Sequence, residues 1–595
     1  MAIEREAGGG GQALRVAAAL FAALAMGVAR SGTATADTPV ADLVFRNGNI
    51  HTVDAERPVA TSLAVRAGII VALGNDSDTA RLIGPTTKVV DLQGRLVLPA
   101  FHDAHTHAVW GGLSHAQCPL YDGESPADYA RIITKCVAED PGTGWLYGVG
   151  WRDGLFKPEG VPDKKLLDEV VPDRPAAFAS VGGHSLWINS KGLAAAGITR
   201  DTPDPPNGHI DRDANGDPVG ALQESAVELV LKLLPPPNAK VRENALRYAR
   251  DYFNSVGIVG WHDALVPISS DEPGQAIPPG VPETYAALAR SGELKGYVTL
   301  ALAWDRKRGL EQIPDLVAAS ERLASAGVEA RAVKFLLDGV PAQRTAALIE
   351  PYADKPGFRG DLWIDEGVLQ NAVVELDAKG FQIHMHTIGD RAVRTALDAF
   401  AKARERNGNR ERRYLLSHDN LIAESDLARL RDLGVVTIFQ PLWASLDDYM
   451  KMVAVRVGPE RMTHMYPVAS VMRAGGRVAY GSDWPVGPAE PLAGIEVALT
   501  RRHPGATEGE RLSPDERVTL DQAIRNYTLN SAYALYKDDR SGSLKADKSA
   551  DLVVLDRDIF KIPETEIAKA QVLLTLYAGE AVHGNLAAVS APVAK

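Results

Sequence analysis

The sequence predicts an α/β protein built on a (β/α)8 TIM-like barrel, with a flanking β-sandwich and a large insertion after the first barrel strand. Three observations carry this. Eight short apolar runs alternate with helical patterns through the chain, as parallel β/α units do. Period-two patterns with Asn-Gly and Ala-Gly turns occur near both ends, which suits antiparallel hairpins that meet in space. Residues 110–255, between the first two runs, are too long and too varied for one β/α unit.

Residues 1–36 read as a signal peptide. Arg5 and Arg15 precede the apolar core VAAALFAALAMGVA, and Ala34-Thr35-Ala36 offers a small-residue site, so cleavage after Ala36 and export to the periplasm or beyond are expected. The alternative is a disordered Ala/Gly-rich leader. Residues 37–98, with ADLVFRNGNIHTVD, form the first part of the sandwich, and 99–109 the first barrel strand. The insertion, 110–255, holds a strand-like PAAFASVGGHSLWIN and an LPPPN break at 234–238. Residues 256–535 complete the barrel, and 536–595, with SADLVVLDRD and QVLLTLYAGEAVHG, return to the sandwich. The strand runs are LVLPAFHDAHTH, GIVGWHDA, GYVTLALAW, ARAVKFLLDG, FQIHMHTIGD, RYLLSHDN, VVTIFQP and RVAYGSDWP. A Pro/Gly-rich loop at 266–282 follows the second, on the face where barrel enzymes place their lids.

A chain that is 45% hydrophobic and 24% charged, with no apolar stretch of 18 residues in its body, reads as globular with no membrane span after the leader. Its net charge of −12 is spread along the chain, which argues against nucleic acid and for a small-molecule substrate. The composition is compatible with a homo-oligomer. Cys118 and Cys136 are the only cysteines, and the sequence leaves open a disulfide or two separate buried thiols.

The stretch LPAFHDAHTHAVWGG (98–112) concentrates candidate ligands. Strand parity puts Asp103, His105 and His107 on one face and His102 on the other. Later runs end in Lys334, His386, His418 and Asp483, where barrel enzymes keep their chemistry. Four histidines and an aspartate suit zinc. Lys334 is the odd member: its pKa is depressed, or CO₂ has converted it to a carboxylate able to bridge two metals. It could equally pair with Asp338, or the site could be mononuclear. His384 shares the parity of His386 one layer deeper, as a group orienting ligands, and Asp103 is expected to support them as a hydrogen-bond acceptor. Trp110, Gln440 and Trp484 adjoin strand ends and are candidate pocket walls.

The motifs PAFHDAHTH, GHSLWINSKGLAAAGI, NGHIDRDANGDPVGALQE, VKFLLDG, HTIGDRAV, LSHDNLI, FQPLW, GSDWPV and the closing GSL…ADLVVLD resemble, in order, the amidohydrolase superfamily, in its amidohydrolase 3 or YtcJ-like branch, which includes N-substituted formamide deformylases. The resemblance implies a barrel with a metal centre at the strand ends. His105 and His107 would bind the buried metal, carboxylated Lys334 would bridge, and His386 and His418 would bind the exposed metal. Asp483 would serve the first metal and accept the proton of the attacking water. Two zinc ions per chain, a metal-activated hydroxide and hydrolysis of amide-like C–N bonds, other than peptide bonds, follow. His184, Asn189 and Glu224 lie in family-like motifs and are expected to line the substrate pocket or tie the insertion to the barrel. Two departures stand out: Ala100-Phe101-His102 follows Pro99 where a Gly and an aliphatic residue are usual, and Asp547 stands where a Gly is usual. A mononuclear deaminase or an ester or lactone hydrolase on the same barrel, and an exported ligand-binding or regulatory protein, are the competing readings.

Overall fold

The computed structural model describes residues 40–268 and 279–590. The leader expected over 1–36 lies outside the described residues, as does the middle of the 266–282 loop.

Eight strands form one parallel sheet, in spatial order β8 to β1: β1 (Phe101–Thr106), β2 (Ile258–Val266), β3 (Tyr297–Ala303), β4 (Glu329–Leu336), β5 (Gln382–Thr387), β6 (Leu415–His418), β7 (Val436–Phe439) and β8 (Arg477–Tyr480). Their residues are almost all buried, because helices cover the outside and side chains fill the inside, so apolar runs rather than alternation mark them. The barrel is nearly closed. Beyond the strand ends, Asp483 N–H donates to His105 O at 2.7 Å and His107 N–H to Trp484 O at 2.8 Å, joining the last strand to the first. Register then sets depth: Lys334 is level with His384, Leu336 with His386, and His386 with Ser417.

The run LVLPAFHDAHTH is two strands, not one. Leu96–Pro99 pairs with Leu552–Leu555 in a six-stranded sheet outside the barrel, and β1 begins at Phe101. Pro99 has no N–H to continue a ladder, and Ala100 N–H turns to Asp551 O. This six-stranded sheet combines strands from both ends of the chain, and a four-stranded sheet from residues 43–91 shares its core of Phe45, Ile50, Leu63, Val97, Val554 and Leu574. Asp547 adopts φ 69°, a conformation in which glycine meets least resistance, which accounts for the usual Gly.

Between β1 and β2 the chain builds a separate six-stranded sheet, from Cys118–Pro119 to Pro218–Glu224. It is entered through the helix Ala108–Ala116 and left through Ala239–Ser255, which Asn238 caps directly after the Pro run. Cys118 and Cys136 are joined as a disulfide, Cα atoms 5.8 Å apart, fastening an edge strand to the helix Pro126–Glu139. A loop this short predicts a loss of about 3 kcal/mol for Cys136→Ser. The expected result is a lower unfolding midpoint that reductant does not shift further, measured by thermal denaturation with and without dithiothreitol. Among the described residues no helix is long and apolar enough to cross a membrane.

Candidate metal centre

Closure of the barrel assembles the site. Gly481 lets β8 approach β1: a Cβ there would lie 2.6 Å from His105 N. Asp483 then places Oδ1 at 3.0 Å from His107 Nε2 and 3.3 Å from His105 Nε2, with Oδ2 at 3.9 Å from His418 Nδ1. His105, His418 and Asp483 each offer one ligand atom within 4.8 Å of the others. The rings of His386 and His418 lie 4.6 Å apart, which brings the fourth histidine to the same cluster.

Three of the four rings have a polar neighbour behind them. His105 Nδ1 lies 2.8 Å from Ser417 Oγ, and His418 Nδ1 lies 2.9 Å from Gln440 Oε1. His386 Nδ1 is 3.4 Å from Asp338 Oδ1, and Asp338 is itself fixed by the N–H groups of Ala347, Ile388 and Gly389 at 2.8–3.0 Å. Carboxylate or amide backing of this kind fixes ring orientation and raises ligand basicity. Asp338→Asn is accordingly expected to weaken metal binding about 10–100-fold, read by competition with a chelator; wild-type affinity would contradict the backing role.

Electrostatics favour neutral ligands. Burial pushes His105 and His418 well below the usual imidazole range and lowers His386 despite Asp338. Burial also brings the Lys334 ammonium down to about 7, against the pull of Asp483 and Asp419. Among the described residues Lys334 forms no ion pair; its hydrogen bond is to His384 Nε2 at 3.2 Å. The pairing with Asp338 does not form. Asp483 Oδ1 and His107 Nδ1 are buried without a hydrogen-bond partner. A buried carboxylate oxygen that faces two imidazole nitrogens and has no hydrogen-bond partner fits a divalent cation, which would satisfy both. The backbone is strained at the same place: His418, Asp419 and Asp483 have φ of 83°, 40° and 56°, each costing about 1–3 kcal/mol.

The remaining candidates separate. Asp103 accepts from His105 N–H at 3.1 Å and from Ser482 N–H at 3.0 Å, one layer below the histidines. His102 faces away, to Ser541 Oγ at 2.9 Å. His384 lies deeper, against Lys334, Ser417 and His262. Trp110 packs on His107 with centroids 5.6 Å apart. His184, from the insertion, lies with its ring 6.3 Å from His386 and its Nδ1 2.9 Å from Glu224 Oε2. Burial disfavours its charge, but Glu224 outweighs that and raises its pKa. Three expectations are corrected. Asn189 is not a pocket wall: its amide caps a helix and bonds the backbone of Val171, Arg174, Ala176 and Gly192. Trp484 turns outward and packs between His115, Tyr252 and Phe253. Gln440 backs His418 and is almost fully buried.

His262, Ser417, Asp338 and Thr345 were not read from the sequence as parts of the site's support. His262 had a signal, since parity in GIVGWHDA puts it on the inward face, where it links Thr299 Oγ1 at 2.7 Å to His384 Nδ1 at 3.1 Å.

Histidines and an aspartate converging at the strand ends of a parallel barrel define a metal-dependent hydrolase. The chain belongs to the Amidohydrolase family, whose model (Amidohydro_3) matches residues 88–583. It is 29% identical over 542 residues to the putative amidohydrolase YtcJ of Bacillus subtilis, covering 91% of this chain and 99% of that protein. It is 27% identical over 557 residues to the N-substituted formamide deformylase of Arthrobacter pascens, covering 91% and 98%. The solved structure of an uncharacterized metal-dependent hydrolase from Pyrococcus furiosus matches with TM-score 0.65 at 25% identity, over 87% of this chain and all of that one.

Proposed function

We propose that the protein hydrolyses the C–N bond of a small amide, other than a peptide, at a binuclear zinc centre. The observation that carries this is Asp483 Oδ1, buried without a hydrogen-bond partner and 3.0–3.3 Å from the Nε2 atoms of both His107 and His105. His105, His107 and Asp483 would hold one ion and His386 and His418 the other. Lys334, carboxylated by CO₂, would bridge them; its burial without an ion pair supports this, because a carboxylated lysine is an anion suited to two cations. When bound, the metals supply an activated water and polarise the substrate carbonyl.

The chain's own groups do the rest. Asp483 accepts a proton from the attacking water and returns it to the leaving nitrogen. Gln440, Asp338 and Ser417 keep the imidazoles in place while charge develops. Trp110, His184 and Glu224 border the centre as substrate-binding groups, His184 donating through Nδ1 to Glu224 so that Nε2 of the neutral ring is left to accept. The formamide deformylase relative supports an N-substituted amide as substrate.

The test is a turnover screen of the zinc-loaded protein on formamide, acyl-amide, ester and lactone panels, with and without chelator. Chelator-sensitive cleavage confined to amides is expected; ester or lactone preference, or no turnover with metal retained, would overturn the reading. A mononuclear centre is the second reading, favoured by the convergence of His105, His418 and Asp483 within 4.8 Å. Metal content of one per active chain would establish it. Export is proposed as well, and the Cys118–Cys136 disulfide supports an oxidising compartment.

A further inference from the structure

A cavity of about 630 Å³ lies between the insertion and the loop after β4, within the size range of small-molecule sites. We infer that it receives the part of the substrate beyond the scissile amide and selects a cationic substituent there, a reading that rests on the amide hydrolase proposed above.

Position supports this first. Glu224 and Thr345 form part of the cavity wall, with Thr345 Oγ1 donating to Glu224 Oε1 at 2.6 Å. The other Glu224 oxygen holds His184, whose ring stands 6.3 Å from His386. One acid–imidazole pair thus separates the cavity from the candidate ligands. Glu224 itself is held at φ 51°, a costly backbone conformation that its two hydrogen bonds keep in place.

Charge supports it second. Arginines reach the wall, but carboxylates already engage them: Arg212 meets Asp204 at 3.0 Å, Arg344 and Arg456 meet Asp354 at 2.6 and 2.8 Å, and Arg456 also meets Glu159, itself in the wall, at 3.0 Å. Neither Asp204 nor Asp354 lines the cavity. Asp211 and Asp361 do line it, and neither has an arginine or lysine within ion-pair distance among the described residues. Asp211 accepts from Gln223 Nε2 at 2.8 Å; His209 stands 3.6 Å from it and closer, at 2.7 Å, to Asp204. Burial raises the Asp211 pKa, as it does for an acid short of a counter-charge. An incoming ammonium meets carboxylates with capacity to spare, whereas an incoming carboxylate meets arginines already engaged.

The test uses the zinc-loaded full chain and two probes that share a phenethyl group and differ in the sign of their charge, phenethylammonium and 3-phenylpropionate, titrated by calorimetry. The ammonium is expected to bind at least about tenfold more tightly than the carboxylate. Asp211→Asn and Asp361→Asn, each outside the proposed catalytic machinery, should each weaken the ammonium by up to about tenfold, corresponding to ~1.4 kcal/mol, without changing the carboxylate. Equal affinities, a carboxylate preference, binding of neither probe, or an ammonium affinity untouched by both variants would overturn the inference. Amide turnover without a cation preference rejects this inference alone; a cation preference that both variants abolish, without turnover of any amide, rejects the hydrolase reading and leaves the cavity's charge selectivity standing.

Discussion

Asp483→Asn is expected to reduce kcat by about 10²–10⁴-fold while the protein remains folded and retains most of its metal. Asparagine keeps an oxygen where Asp483 Oδ1 faces His105 and His107 at 3.0–3.3 Å, and it tolerates φ 56° as aspartate does, so position and fold survive. What disappears is the carboxylate's ability to take a proton. A loss of that size corresponds to ~3–5 kcal/mol of barrier. Steady-state kinetics with metal analysis on the same sample decides the matter: activity within tenfold of wild type would show that the proton goes elsewhere, and loss of the metal would show that Asp483 acts chiefly as a ligand.

Lys334→Ala is expected to cost more than about a hundredfold in activity and to lower bound zinc. The side chain sits almost fully buried among imidazoles, with no ion pair among the described residues, so its removal leaves a gap beside the candidate ligands. The wild-type apoprotein, reloaded with zinc in CO₂-free buffer, should recover little activity until bicarbonate is supplied. Full activity of the alanine variant would exclude Lys334 from the centre. Full recovery without bicarbonate would leave the lysine but remove its carboxylation.

Much of the barrel was legible because its strands are buried on both faces. FQIHMHTIGD and RVAYGSDWP stand out as short apolar runs closed by a polar residue, and such runs mark both the strand and the end where barrel enzymes place their chemistry. Side-chain parity separated His102 from His105 correctly, since parity is a local property of extended backbone. The extent of the strand was not legible at LVLPAFHDAHTH, where Pro99 ends one ladder and Phe101 begins another, a choice made by partners hundreds of residues away. Trp484 shows the same limit. It follows a candidate ligand directly, yet its ring packs on residues of the helices Ala108–Ala116 and Ala239–Ser255, and no local pattern reports that. Asn189 has the spacing of a helix cap, and the cap is what it became. The supports at Asp338 and His262 depend on register between neighbouring strands and loops, which a single sequence does not display.

The insertion carries two apolar clusters of its own, one around Leu186, Ile188 and Leu222, the other around Tyr129, Phe178 and Trp187, separate from the cluster that fills the barrel surroundings. Interiors that do not interdigitate can change independently, because a substitution in one leaves the packing of the other intact. The wall proposed to face the substrate can therefore drift, or be exchanged for a relative's, while the barrel's candidate metal centre stays untouched. Descendants of one ancestral catalyst could acquire new diets by rewriting a single detachable module.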